Sequence, residues 1–123
     1  MKSTVKILLA DDHALLREGL RLLIESEEGL SVVGEASDGL EAVQKVRELA
    51  PDIVVMDINM PNLNGVDATR EICAAASQTR VLALSIHSGR QYVENMLAAG
   101  ADGYLLKQCA PAELIRAINI VSN

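Results

Sequence analysis

The sequence predicts an α/β fold, a mostly parallel sheet with helices on both of its faces. Three observations carry this. Short apolar runs alternate with longer stretches of helical spacing, five times over. Two of the runs, Ile53–Met56 and Val81–Leu84, are apolar throughout, as strands covered on both faces are. Gly and Pro fall at the boundaries between runs and helical stretches. Right-handed crossovers between parallel strands then place helices on both sides of the sheet.

The elements follow in order. Val5–Ala10 is the first apolar run. Behind it Leu16, Leu20, Leu23 and Ile24 recur at i, i+4, i+7 and i+8, one face of a helix. The second run, Leu30–Ala36, alternates and contains Gly34 and Glu35, which places it at an edge of the sheet. Val43, Val46 and Ala50 mark the second helix, and Ile53–Met56 is the third run. Thr69, Ile72 and Ala76 mark the third helix, before the run Val81–Leu84. Val93, Met96, Leu97 and Gly100 form the fourth stripe, with Gly100 as the C-terminal cap. Tyr104–Leu106 is the fifth run, and Leu114, Ile118 and Val121 form the fifth stripe. Pro111 suits the first turn of that helix, while Pro51 and Pro61 fall in loops. Ala110 stands where a capping Ser or Asp is favoured, a loss of about 1 kcal/mol for the last helix.

Composition narrows the function. With 123 residues the chain predicts one domain, 1–123. Its aromatic share is 2%, Tyr92 and Tyr104, so the core is aliphatic and base-stacking platforms are excluded. Eleven basic residues against seventeen acidic ones argue against nucleic-acid binding by this segment. No apolar run approaches the roughly 20 residues that cross a membrane. Met1-Lys2-Ser3-Thr4 leads straight into a strand with no secretory apolar region, so a cytoplasmic location is expected. Cys73 and Cys109 have no metal-ligand spacing and read as reduced, packed thiols.

In open α/β sheets, ligands bind beyond the carboxyl ends of the strands. The polar residues that directly follow the apolar runs are Asp11 and Asp12, Asp57, Ser85 and Lys107. Singly, each has an ordinary explanation: an Asp pair caps a helix, a Ser makes a turn bond, a Lys is surface charge. Arriving together from four strand ends, they read as one site. Three clustered carboxylates repel one another and call for a cation. Lys107 is one, and oxygen ligands of this kind suit Mg²⁺. A metal and an ammonium facing a carboxylate suit phosphoryl transfer to that carboxylate. Asp57, at the end of the central strand, is the expected nucleophile. Neither GxGxxG nor GxxxxGK[ST] occurs, which removes dinucleotide and P-loop readings.

These residues resemble the receiver domain of two-component response regulators, across essentially the whole chain. The resemblance rests on Leu8-Leu9-Ala10-Asp11-Asp12-His13, on Val54-Val55-Met56-Asp57-Ile58-Asn59-Met60-Pro61 with Asn64-Gly65, and on Ala83-Leu84-Ser85. It extends through Ala99-Gly100-Ala101-Asp102-Gly103-Tyr104-Leu105-Leu106-Lys107. The Asp102–Lys107 and Leu16–Leu20 runs look most like the NarL/LuxR-type subfamily. The resemblance implies a flavodoxin-like, doubly wound five-stranded sheet in order 2-1-3-4-5 with five helices. It implies that Asp57 accepts a phosphoryl group from a sensor histidine kinase. Asp12, Asp57 and the Asn59 backbone carbonyl would hold Mg²⁺, with Asp11 acting through a bound water. Lys107 would pair with Asp57, Ser85 would hydrogen-bond the phosphoryl group, and Tyr104 would be the switch aromatic. Gly65 would allow a tight turn. The output face would be helix 4, strand 5 and helix 5, with a homodimer on activation. DNA would be met only through a helix-turn-helix domain outside these residues, and the chain would not turn over external substrates.

Some positions depart from the family pattern or tune it. The resemblance implies that Asn59, Ile86 and His87 occupy positions that tune phosphoryl kinetics; branched Ile86 is expected to slow small donors, and His87 reads as a solvated loop residue. His13 is expected to pack or cap. Gln108, not Pro, follows Lys107. Two other readings stand beside this one. A stand-alone regulator would act by protein binding alone. A haloacid-dehalogenase-like phosphatase would want a second Asp where Asn59 stands. A flavodoxin-like carrier is excluded, because Asp11-Asp12 would repel its phosphate.

Overall fold

The computed structural model describes residues 4–75 and 78–123; Ala76 of the third helical stripe lies outside them. Five strands, β1 (Val5–Ala10), β2 (Leu30–Ala36), β3 (Ile53–Met56), β4 (Arg80–Ser85) and β5 (Gly103–Leu106), pair in parallel in the order β2-β1-β3-β4-β5. The first three match the apolar runs residue for residue. β4 is longer at both ends, because Arg80 pairs with Ile53 and Ser85 with Leu106 through the backbone, which is indifferent to side-chain polarity. β5 takes in Gly103 opposite Leu82 for the same reason. β2 lies at an edge, as its alternation predicts. Ile7 faces Val32 but Leu8 faces Gly34, so Val33 is an extra residue that bends the edge strand.

The helices are α1 (Ala14–Glu25), α2 (Gly39–Leu49), α3 (Gly65–Ala75), α4 (Arg90–Ala99) and α5 (Pro111–Ser122). Alternate residues of a strand face opposite sides of the sheet, so the central strands feed two cores. On one side Leu8, Val54, Met56 and Val81 pack with Val43 and Val46 of α2, Ile72 of α3 and Met96 of α4. On the other, Ile7, Leu9, Val55 and Leu82 pack with Ile24 of α1 and with Leu114 and Ile118 of α5. Each large aliphatic side chain buried this way contributes about 1.5–3 kcal/mol. No helix among the described residues is long and apolar enough to cross a membrane.

The helix ends carry small corrections. Ala50 is not a helical stripe residue but the left-handed C-cap of α2, with φ 46°. Gly100 caps α4 with φ 116°, and a Cβ there would lie 2.6 Å from the Cys73 sulfur. Ala110 caps α5 without a side-chain acceptor, but its N–H donates to Glu113 at 3.3 Å, which restores half of a capping box.

Candidate functional site

β1 and β3 are neighbours in register, Ala10 opposite Met56. The residues just beyond them, Asp11 and Asp57, therefore emerge side by side. The backbone holds both: the Asp57 N–H donates to the Ala10 carbonyl at 2.9 Å, and the Asp11 N–H to the Ala36 carbonyl at 3.0 Å. The two aspartates are only 4% and 6% exposed. Gly65, at the start of α3, donates to the Ile58 carbonyl at 2.7 Å. A Cβ on Gly65 would sit 1.9 Å from the Asp57 carbonyl oxygen. Glycine is required here by the close approach of α3 to the backbone of Asp57 and Ile58 in the loop after β3.

Asp11, Asp12, His13 and Asp57 each offer a ligand atom within 4.8 Å of the others. Lys107 reaches in from the end of β5, its Nζ 2.7 Å from Asp11 Oδ2 and 3.5 Å from Asp57 Oδ2. The expected Lys107–Asp57 pair is thus shared, with Asp11 the nearer partner. One ammonium between two buried carboxylates offsets only part of their charge. The Asp57 carboxyl is accordingly held above its ordinary value, first by burial and then by the Asp11 charge, against the pull of Lys107 and the Ile58 N–H.

His13 neither packs nor caps through its side chain. It is the N-cap residue of α1 but makes no side-chain capping bond, and the side chain is 68% exposed. Its Nδ1 lies 3.0 Å from Asp11 Oδ1 and 3.1 Å from Asp12 Oδ1. Arg17 braces the pocket from α1. Its Nη1 donates to the Asp11 carbonyl and its Nε to Glu35 at 2.9 Å. Arg17 lies in the Leu16–Leu20 run, where nothing local in the sequence points from α1 to β2.

Ser85 is fully buried at the end of β4, where its Oγ accepts the His87 N–H at 3.1 Å. Its carbonyl accepts the Lys107 N–H at 2.8 Å, tying β4 to the lysine. His87 is no solvated loop residue. Its ring stacks on Tyr92 of α4, with centroids 4.0 Å apart and planes 9° from parallel, and hydrogen-bonds the Asn59 amide. Its carbonyl accepts the Tyr104 hydroxyl at 2.6 Å. One residue thus joins the loop after β3, the end of β4, α4 and β5. No periodicity could have found this, because the partners come from four separate segments. Ile86, beside it, is 66% exposed.

Residues 7–119 match the response regulator receiver domain. The chain belongs to this family.

The receiver domain is 41% identical over 121 residues to the transcriptional regulatory protein DegU of Brevibacillus brevis, covering 98% of this chain and 51% of that protein. It is 41% identical over 117 residues to the response regulator UvrY of Escherichia coli K12, covering 95% of this chain and 54% of that protein. The chain therefore spans about half the length of these curated relatives. A LuxR-family two-component response regulator from Aurantimonas sp. SI85-9A1 has a crystal structure similar to this fold. The TM-score is 0.93 at 44% identity, covering 98% of this chain and 86% of that one. The subfamily resemblance is borne out by these relatives.

The receiver domain's donor set fits a hard divalent cation. Three carboxylates against one ammonium leave two formal negative charges at the pocket, two of the carboxylates being almost wholly withdrawn from water. A dication would neutralise that excess, and oxygen donors are what Mg²⁺ prefers.

Proposed function

We propose that this receiver domain is switched by phosphorylation of Asp57, with phosphohistidine on a sensor histidine kinase as the donor and Mg²⁺ as cofactor. The observation that carries this is the Asp57 carboxylate itself, buried and facing Lys107 inside an acidic pocket. Asp12, Asp57 and the Asn59 backbone carbonyl would hold the ion, and Asp11 would reach it through a water. Bound Mg²⁺ supplies charge neutralisation for the incoming phosphoryl oxygens.

The chain's own residues do the rest. An Asp57 oxygen attacks phosphorus as the bond to the donor nitrogen breaks, and the histidine leaves with that electron pair. Lys107, already between Asp11 and Asp57, moves onto a phosphoryl oxygen. Ser85 donates its hydroxyl to another. That motion draws Ser85 Oγ away from the His87 N–H and disturbs what His87 holds: the Asn59 amide, the Tyr92 ring and the Tyr104 hydroxyl. The surface of α4, β5 and α5 changes as a result, by biasing two pre-existing shapes. The domain is a phosphoacceptor that assists its own phosphoryl transfer. Output is proposed to be transcriptional, through homodimerisation and a DNA-binding segment outside these residues. The transcriptional part is supported by the likeness to the transcriptional regulatory protein DegU, of which this chain covers half.

The test is incubation with Mg²⁺ and an acyl phosphate or phosphoramidate, read by intact mass. Wild type gains one phosphoryl group and Asp57→Ala gains none. Labelling of Asp57→Ala at the wild-type rate would overturn the assignment.

A further inference from the structure

The backbone of Asp11 is held on both sides by one strand. Its N–H donates to the Ala36 carbonyl of β2 at 3.0 Å. Its carbonyl accepts Nη1 of Arg17, whose Nε donates to Glu35 of β2 at 2.9 Å. The contacts close a ring, from Asp11 through Arg17 and Glu35 to Ala36 and back. The Asp11 carbonyl lies in the planar peptide that joins Asp11 to Asp12, so Arg17 fixes the backbone from which both acidic side chains project. A guanidinium suits this task, because its donors form a rigid fork. The Arg17 and Glu35 side chains are only 17% and 25% exposed, so solvent screens the pair little.

The ring exists only because β2 is irregular. Val32 packs in the core beneath α1 and α5. Strict alternation would put Gly34 and Ala36 on that face and Glu35 on the opposite one. The extra residue, Val33, reverses the order. Ala36 packs instead in the core beneath α2, α3 and α4, while Glu35 pairs with Leu9 and meets α1. Re-aiming a side chain is a recurring use of such bulges. Glu35 is then held from three directions: Oε1 by Arg17, Oε2 by Arg21 at 3.0 Å, and its carbonyl by Lys45 of α2. Tying α1 to β2 needs no more than Arg21. Arg17 directs a second donor at the backbone of the acidic pocket.

We propose that Arg17 and Glu35 are positioning residues for phosphoryl acceptance at Asp57, acting through the Asp11–Asp12 backbone, and that the bulge in β2 brings them together. This rests on the reading of Asp57 as the phosphoacceptor. Asp11 is the nearer partner of Lys107, at 2.7 Å against 3.5 Å for Asp57. When the Asp11 backbone is released, its carboxylate drifts and Lys107 drifts with it. The ammonium is then out of place for the phosphoryl oxygens. A displacement of about 1 Å at a reacting centre slows a reaction by up to on the order of a hundredfold.

The experiment follows labelling by an acyl phosphate at saturating Mg²⁺, read by intact mass. It compares wild type with Arg17→Ala, Arg17→Lys, Glu35→Ala, the double variant Arg17→Ala with Glu35→Ala, and Arg21→Ala. Urea midpoints confirm that each chain is folded under the labelling conditions. Arg17→Ala and Glu35→Ala should each label at least about fivefold more slowly, and the double variant no more slowly than the slower single, because both act through one ring. Arg17→Lys keeps the charge that faces Glu35, and so most of the stability, but has no fork to hold the Asp11 carbonyl as well. It should label at least about threefold more slowly at a near wild-type midpoint, and it decides the matter if Arg17→Ala fails to fold. Arg21→Ala loses ion pairs to Glu25 and Glu35 but leaves the ring whole, so its rate should stay within about twofold of wild type. A pair that only joins α1 to β2 would move midpoints and not rates. Wild-type labelling in Arg17→Lys, losses that multiply in the double variant, or equal slowing in Arg21→Ala would overturn the proposal. Labelling of Asp57→Ala at the wild-type rate would instead overturn the phosphoacceptor reading beneath it.

Discussion

Asp57 ionises against its surroundings, and that has a measurable sign. A carboxyl whose folded pKa is raised favours the folded chain when protonated. The cost of ionising it is absent below its ordinary value of 3.8, grows as pH rises through the raised value, and is complete above it. Without divalent cations, Asp57→Asn is therefore expected to be more stable than wild type at neutral pH. The difference should shrink toward zero as pH falls below the ordinary carboxylate range. Urea midpoints at several pH values measure it, and a less stable Asp57→Asn at neutral pH would contradict the charge account. Lys107→Ala removes the ammonium that pairs with Asp11 and Asp57 and that, on the proposed function, competes with Mg²⁺ for them. Its Mg²⁺ affinity should equal or exceed wild type, while phosphorylation no longer alters the α4–β5–α5 surface; lost metal binding would refute that role. Asp11, Asp12, Asp57, Ser85 and Lys107 were legible because each directly follows an apolar run. The His87 junction, the Arg17 brace and the orientation of the His13 ring were not, because they depend on contacts between segments distant in sequence.

At the scale of elements, Gly65 is where helix and site meet. Gly65→Ala drives a Cβ into the Asp57 carbonyl, and the backbone under Asp57 must shift. The expected result is a loss of about 1–3 kcal/mol, as for other overpacked sites, together with slower phosphoryl labelling of Asp57. Normal labelling would show that α3 can retreat without disturbing β3. At the other end, Ala110→Ser supplies the missing acceptor of α5 and should stabilise the domain by about 1 kcal/mol in thermal or urea unfolding. Three strands were readable to the residue because polar residues or glycine bound them on both sides: Thr4 and Asp11, Gly29 and Ser37, Asp52 and Asp57. The ends of β4 and β5 were not, because backbone pairing at Arg80, Ser85 and Gly103 leaves no mark on side-chain polarity. Ala50 misled as a helical stripe residue because a left-handed cap is invisible to hydrophobic spacing.

The whole molecule is a sheet with a separate core on each face and a charged edge. The cores fix the strands in register, so the acidic pocket is built from residues that directly follow strand ends. Binding a dication there should stabilise the folded chain by mass action, by about 2.7 kcal/mol at a hundredfold excess over the dissociation constant. Mg²⁺ should accordingly raise the melting temperature of wild type by several degrees and that of Asp57→Ala by less. The two-sided layout followed from the alternation of apolar runs and helical stripes, and strand order followed from the family resemblance. The most direct test is to phosphorylate the chain with Mg²⁺ and an acyl phosphate, trap the product with borohydride, and map it by peptide sequencing. An acyl phosphate on Asp57 is reduced to homoserine, and that conversion is expected at position 57 alone. Homoserine at position 11 or 12 with Asp57 intact would contradict it.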